Sequence, residues 1–372
     1  MTDTAPRLIA MHLPQSHPIP ENDEWWGKGF TEWTNTAKAT PLFKGHYQPH
    51  VPADLGFYDL RLPEARLAQA QLAKHYGLEA FCYYHYWFAG KRVLERPVAE
   101  IVSSGAPDFP FCVCWANETW TGVWHGAPKR TLIAQTYPGE ADHRAHFASL
   151  LPTFSDRRYV RVDDKPLFLI HQPTEIPDVA NAMALWRRLA TEAGLPGLYL
   201  VGARAGQAWD AQTIGFDASV SVRFPARRPW VSRRTPFKWL KRELEKKRGR
   251  PTVYNYDDVA LDFWPQDQPQ REDYPLLIPN WDNSPRSGVN GLVLRDANPE
   301  SFRRHIRRVK EQMAQRQATQ KLVFIKSWNE WAEGNHLEPD LKFGHAFLEV
   351  LQEEFSVPPA VPAPVGSLDG EV

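Results

Sequence analysis

Eight short runs of apolar and aromatic residues recur along the chain: 8–12 (LIAMH), 80–84 (AFCYY), 111–115 (FCVCW), 166–171 (PLFLIH), 198–202 (LYLVG), 217–221 (DASVS), 276–280 (LLIPN) and 322–327 (LVFIKS). They are nearly continuous in apolar character rather than alternating, which is the pattern of strands covered on both faces. Segments with helical spacing lie between them. Residues 63–75 open with Pro63 and are followed by Gly77, residues 180–193 run up to Gly194, and two further stretches cover 301–318 and 343–355. Pro at the start and Gly past the end are helix boundary signals. A repeated strand-then-helix order predicts the α/β class, as a single (β/α)8 barrel with long loops after its strands. The sixth run is the least apolar. The same series could also build a doubly wound open sheet, but no Gly-rich phosphate loop follows any run, so a nucleotide-binding version has no support.

With 372 residues the chain has room for one barrel or two ordinary domains. The spread of the eight runs predicts one barrel domain over 1–355, with a long basic connection at 222–275 between the sixth and seventh strands. Residues 356–372 are Pro-rich and aperiodic, the composition of a disordered tail. Zero formal net charge gives no global case for nucleic acid. Cys82, Cys112 and Cys114 are too few for a disulfide framework and fit a reducing compartment. The start lacks the apolar core of a leader, and no stretch approaches the roughly 18 apolar residues of a membrane span, so a cytoplasmic protein is expected. Within 223–250, Trp230, Phe237, Trp239 and Leu240 interleave many Lys and Arg. The segment reads either as a solvated insertion or as a peripheral docking surface for anionic lipid headgroups or a lipid-linked glycan.

Barrel active sites sit where the strands end. Here the strand ends carry His12, Trp25, Trp26, Glu32 and Trp33 after the first; His85, Tyr86 and Trp87 after the second; Trp115, Asn117, Glu118 and Trp120 after the third; His171 after the fourth; Trp281, Asp282 and Asn283 after the seventh; and Trp328, Asn329, Trp331 and His336 after the eighth. Any one of the fifteen tryptophans could be core filling. Trp repeatedly set beside Asn, Asp, Glu or His instead suits a sugar: the indole takes the C–H face of the ring and the polar groups take its hydroxyls. These residues are therefore expected to bind an oligo- or polysaccharide. The histidines form no H-E-x-x-H pattern, so neither metal nor cofactor is expected.

Glycoside cleavage needs two carboxyl groups. Glu330 and Glu333 stand three apart in Trp328-Asn-Glu-Trp-Ala-Glu333, so one helical turn would bring them together. Mutual repulsion and neighbouring indoles would then split their pKa values into one base and one acid. The bland alternative is ion pairing or capping of the last helix. Glu338 and Asp340 read as the lead-in to that helix. Glu118 is expected to bind substrate.

The stretches HLPQSHPIPENDEWWGKGFTEWTN, PLFKGHYQPHVPADLGFYDLR, FCYYHYWFAGKRVLERP, DFPFCVCWANETW and WNEWAEGNHLEPD strongly resemble the WbsX-like proteins. These are labelled glycosyltransferases of surface-polysaccharide loci and are also described as similar to glycoside hydrolase family 99. The resemblance covers roughly residues 8–352. It implies a (β/α)8 barrel related to the family 99 endo-α-mannosidases, which are retaining enzymes. It also implies that Glu330 deprotonates the 2-hydroxyl of the sugar, which displaces the leaving group through an epoxide-like intermediate, while Glu333 serves as acid and then base. A covalent nucleophile is the other retaining route. The implied activity is cleavage of α-mannoside-like linkages in bacterial surface polysaccharide. The alternatives are a glycosyltransferase of lipopolysaccharide, O-antigen or exopolysaccharide assembly and a glycan-binding barrel without catalysis. Against transfer from a nucleotide sugar, the only DxD-like stretches are the poor matches at 161–164 and 256–258. The chain departs from the family pattern at Thr119, Gly122, Val123, His125 and Ser16. All are in loops after strands one and three, where they bear on sugar identity more than on chemistry.

Overall fold

All eight expected runs form strands: β1 (Arg7–His12), β2 (Ala80–Phe88), β3 (Phe111–Trp115), β4 (Lys165–Ile170), β5 (Tyr199–Ala205), β6 (Ala218–Val222), β7 (Asp273–Leu277) and β8 (Leu322–Ile325). The computed structural model describes residues 6–122, 127–205, 210–222, 224, 244, 247–264, 272–316 and 320–355. Every strand pairs in parallel with its two neighbours in sequence order. β1 joins the ends of the sheet: Ile9 lies beside Ala80 of β2 and beside Phe324 of β8, so the barrel is closed.

Burial explains the apolar runs. Ile9, Cys82, Val113, Phe168, Leu200 and Val323 are buried, covered from within the barrel or by the helices around it. Each such Leu, Ile, Val or Phe contributes about 1.5–3 kcal/mol of transfer free energy. The three cysteines are buried free thiols.

Besides three short helices in the loops after β1 and β7 (Pro20–Trp26, Glu32–Ala37 and Ser284–Ser287), the helices among the described residues are α1 (Pro63–His75), α2 (Arg96–Ser104), α3 (Glu140–Phe154), α4 (Val179–Glu192), α5 (Tyr256–Ala260), α6 (Pro299–Gln315) and α7 (Ala346–Glu354). α1 ends as its sequence predicts: Gly77 adopts φ +79° and Leu78 N–H reaches back to the Ala73 carbonyl. α6 begins two residues before the expected start, because Asn298 and Ser301 cap each other's backbone around Pro299. α7 begins three residues late, because Asp340 holds the N–H groups of Lys342 and Phe343 in a turn. Between β5 and β6 the described residues contain only a 3-10 turn, Gln212–Ile214. A parallel pair outside the barrel, Thr252–Asn255 with Leu292–Arg295, was not expected.

No helix among the described residues is long and apolar enough to cross a membrane. The tail at 356–372, and within the basic segment residues 223, 225–243, 245 and 246, lie outside the described residues.

Candidate active site

The stretch after β8 is stitched to its neighbours before it reaches the mouth. Lys326 N–H donates to the Leu277 carbonyl of β7, and Trp328 N–H to the Met11 carbonyl of β1. The chain then folds on itself: Asn329–Glu330 pairs antiparallel with Asn335–His336 across a 3-10 turn, Trp331–Glu333. Side chains three apart eclipse on such a turn, so it is this tight hairpin, not an α-helix, that brings Glu330 and Glu333 together. The hairpin needs Gly334, which sits at φ +50° with the place of a Cβ only 2.8 Å from Asp282 Cβ and 2.9 Å from the Asp282 carbonyl oxygen. Gly334→Ala is expected to cost about 2 kcal/mol or more, from left-handed strain and backbone contact together. Chemical denaturation measures this, and activity should fall with it.

Glu330 and Glu333 are buried and close enough for each to act on the other's ionisation. Lys326 Nζ lies 2.6 Å from Glu330 Oε1 and 3.9 Å from Glu333 Oε2. Arg286 donates from one guanidinium nitrogen to Glu333 Oε1 at 2.9 Å and from the other to Glu32 at 2.6 and 2.8 Å. Glu32 in turn accepts the Ala332 N–H, which ties the loop after β1 to the turn carrying the pair. Burial alone would raise both acidic groups. At Glu330 it is outweighed by the Lys326 charge, the Glu333 hydrogen bond and Arg286, and the carboxyl is held below the ordinary range. At Glu333 burial and the Glu330 charge win over Arg286 and Lys326, and the carboxyl is pushed up to about 8. Near neutral pH the pair is one carboxylate beside one carboxylic acid.

Across the mouth, Asn117 ties the end of β3 to the chain after β4 by exchanging two 2.8 Å hydrogen bonds with the Gln172 backbone. This sets Glu118 beside His171, 3.3 Å away, and beside the Gln172 amide, 2.8 Å away. Burial would raise Glu118, but His171, Gln172 and the Lys326 charge take it down to about 2. Trp120 packs edge-on to Tyr86 and Trp25.

The expected site residues divide by exposure. Trp25, Trp26, His85, Glu118, Trp120, His171 and Trp281 keep accessible surface. Tyr86 is buried but packs on Trp120. The others are largely buried, with most of their polar groups engaged within the protein. Trp115, Trp328 and Trp331 are at most 1 % exposed and present no face to a sugar. Trp33 and Trp87 are buried, the first donating to the Tyr58 carbonyl and the second stacked on His146. His12 is spent on Gln69, and Asn329 on both backbone groups of Leu13. Asp282 accepts from His46 and Gln48, Asn283 from Leu292 N–H, and His336 stacks on Trp331. Glu32 is buried as the partner of Arg286. Glu338 and Asp340, in the lead-in to α7, are buried; burial pushes Glu338 up to about 7 despite donors from Trp331, Gln69 and Tyr58.

Sequence reasoning passed over Lys326, Arg286 and Tyr84. Lys326 Nζ is 3.3 Å from Tyr84 Oη and lies 5.5 Å from the Trp281 ring centroid. Their positions just past β8, just past β7 and late in β2 were the available signal. Among the described residues one trio, His50, His336 and Asp340, is close enough to hold a metal ion.

A closed parallel barrel of this kind, with acidic and aromatic side chains gathered at its mouth, is an architecture of carbohydrate-active enzymes. Residues 8–351 match the family described as glycosyltransferase WbsX, and the chain belongs to that family. It is 40 % identical over 357 residues to an uncharacterized protein, WxcX, of Xanthomonas campestris pv. campestris (strain B100), an alignment that takes in 95 % of this chain and 50 % of that protein. The chain thus spans about half the length of the curated relatives it matches. Its fold is that of a GH99 endo-alpha-mannosidase from Bacteroides thetaiotaomicron solved with BIS-TRIS-propane, with TM-score 0.56, 14 % identity, and coverage of 94 % of this chain and 96 % of the other. A glycoside hydrolase-like protein is similar at TM-score 0.57 and 12 % identity, over 95 % of each chain.

Proposed function

We propose that the barrel is a retaining glycoside hydrolase acting on α-mannoside-like linkages of bacterial surface polysaccharide. The observation that carries this reading is the buried pair Glu330 and Glu333 at the end of β8, set against Lys326 and Arg286 so that the first is favoured as carboxylate and the second as acid. In the first step Glu330 takes the proton of the sugar 2-hydroxyl. O2 bonds to C1 as the C1–O bond to the leaving group breaks, and Glu333 gives its proton to the departing oxygen. In the second step Glu333, now a carboxylate, takes a proton from water. That water bonds to C1, and O2 leaves C1 and recovers its proton from Glu330. Two inversions give net retention. Lys326 keeps Glu330 ionised, and Trp281, Tyr84 and Trp120 offer ring faces around the reacting sugar.

Glu118 lies on the opposite side of the mouth and is too acidic to hold a proton at neutral pH, so it is assigned to substrate binding. Glu333→Ala should regain its first step, read as kcat/KM or as a burst of dinitrophenol, with a dinitrophenyl leaving group, which needs no protonation, and Glu118→Ala should not. The reverse pattern would move the acid role to Glu118.

The family description favours a second reading, transfer. The same site would transfer a glycosyl group if a sugar hydroxyl replaced water in the second step. Incubating the protein with aryl α-mannosides and mannans, with and without acceptor sugars, UDP- or GDP-sugars and divalent metal, separates the two. Release of free sugar without acceptor supports hydrolysis. Product that forms only with a nucleotide sugar overturns it.

A further inference from the structure

We propose that His50, His336 and Asp340 form a structural site for a zinc-type divalent ion behind the mouth, fastening the loop that carries Glu330 and Glu333. The inference is independent of the hydrolase reading. The three side chains come from two distant segments and are buried, at 7 %, 1 % and 2 % exposure. Their donor atoms all lie within 4.8 Å of one another. His50 Nδ1 is 2.8 Å from His336 Nε2, and Asp340 Oδ2 is 3.9 Å from that same nitrogen.

Two features suit a ligand here. His336 Nδ1 is 2.9 Å from the Glu338 carbonyl oxygen, which can only accept. The ring proton is therefore on Nδ1, and Nε2 turns a lone pair into the cluster, where it accepts the His50 Nδ1 proton that a metal ion would replace. A metal-bound imidazole is typically fixed in this way by a backbone carbonyl. Asp340 Oδ1 takes the N–H groups of Lys342 and Phe343, whereas its buried Oδ2 has no hydrogen bond of good geometry, with only the Tyr47 hydroxyl lying against the carboxylate. A buried carboxylate oxygen left so is costly, and coordination would satisfy it.

The donor set selects the ion. Two imidazole nitrogens and one carboxylate suit zinc and its neighbours; magnesium and calcium want oxygen donors. With bonds of about 2.0–2.1 Å, donors around a tetrahedral ion sit about 3.3 Å apart. The separations of 2.8 and 3.9 Å straddle that value and the third, between His50 and Asp340, is no more than 4.8 Å, so the donors would draw together around a bound ion. On binding, His50 would carry its proton on Nε2, freeing Nδ1. The Tyr47 ring stacks on His50 and its hydroxyl lies against Asp340, so that hydroxyl or a water would take the fourth position.

The site lies where two loops meet. Leu341 N–H donates to the Val51 carbonyl and Ala53 N–H to the Pro339 carbonyl. His336 sits in the strand that pairs with Asn329–Glu330 and stacks on Trp331 at 3.8 Å. An ion there would tie the loop after β1 to the hairpin holding the glutamate pair.

The test uses the full chain stripped with a chelator. Zinc is titrated in competition with a chromophoric chelator, and melting is followed with and without zinc. Cobalt(II) serves as a spectroscopic probe of the wild-type chain. The expected result is one zinc per chain, a melting temperature raised by zinc, and visible cobalt bands of a four-coordinate site that zinc abolishes. Asp340→Asn keeps the Oδ1 contacts and should weaken zinc at least about tenfold and remove the melting shift, as should His50→Gln. Zinc binding of equal strength in the wild type and both variants would overturn the proposal. So would the absence of both zinc uptake and cobalt bands in the folded wild-type chain, a result that does not depend on how the variants fold.

Discussion

Glu333→Gln lowers kcat/KM on substrates with poor leaving groups by about 100- to 10,000-fold, the usual worth of a positioned general acid, and Glu330→Gln does the same. The two should differ with a good leaving group. Glu333→Gln recovers its first step, because the departing oxygen no longer needs a proton, whereas Glu330→Gln does not, because the 2-hydroxyl still has to lose one. Steady-state kinetics on phenyl and dinitrophenyl α-mannosides make the comparison. Near-wild-type rates for both variants would make the pair structural. The substitution is not expected to cost the fold. With its folded pKa raised from 4.5 to about 8, Glu333 binds its proton more tightly in the folded chain. Its contribution to stability is thus fully present below about pH 4.5 and is lost as pH rises through 8. Glu333→Gln, which mimics the protonated form, should melt at or above wild type at pH 8, and the gap should close towards pH 4.

Lys326→Met moves the whole pH–rate profile to higher pH. In the wild type the acid limb belongs to ionisation of Glu330, held below the ordinary range, and the alkaline limb near 8 to loss of the Glu333 proton. The two carboxyls titrate as a coupled pair, so the limbs report the pair rather than either residue alone. Lys326 Nζ, 2.6 Å from one and 3.9 Å from the other, stabilises the anionic form of both. Removing it raises both pKa values: the acid limb climbs towards neutrality and the alkaline limb moves above 8. At pH 6 the variant should lose far more activity than at pH 8. Lys326→Arg, which keeps the charge, should restore part of the acid limb. An unshifted acid limb in Lys326→Met would mean that Lys326 does not set the ionisation of Glu330.

The barrel was legible because its strands are buried on both faces. Runs such as Phe111–Trp115 and Leu322–Ile325 show that burial directly as unbroken apolar sequence. Helix ends were legible where Pro or Gly marks them, as at Pro63 and Gly77, and were missed by two or three residues where a side chain makes the boundary, as with Asn298 before α6 and Asp340 before α7. In the candidate site, the three-residue spacing of Glu330 and Glu333 suggested that the two side chains meet, and the backbone that joins them is a hairpin closed by Gly334. Most of the aromatic and polar residues beside them are buried. A strand end that buries Trp328, Trp331 and Asn329 has the same composition as one that offers them to a ligand; only the packing against Phe81, His336 and Leu13 tells them apart. Arg286 and Lys326 were passed over for the opposite reason. In sequence they look like ordinary solvated cations, and their role depends on carboxylates brought from elsewhere in the chain: Glu32 lies 254 positions from Arg286.

The central claim is that Glu330 and Glu333 cleave an α-mannoside-like bond with retention. Proton NMR of the first product released by the wild-type chain, recorded before mutarotation, tests it most directly, with Glu333→Gln as the control. The account predicts that the α-anomer forms first with the wild type and that the variant releases nothing from an unactivated substrate. The β-anomer forming first, or no release from any α-mannoside or mannan with or without a sugar acceptor, would contradict it.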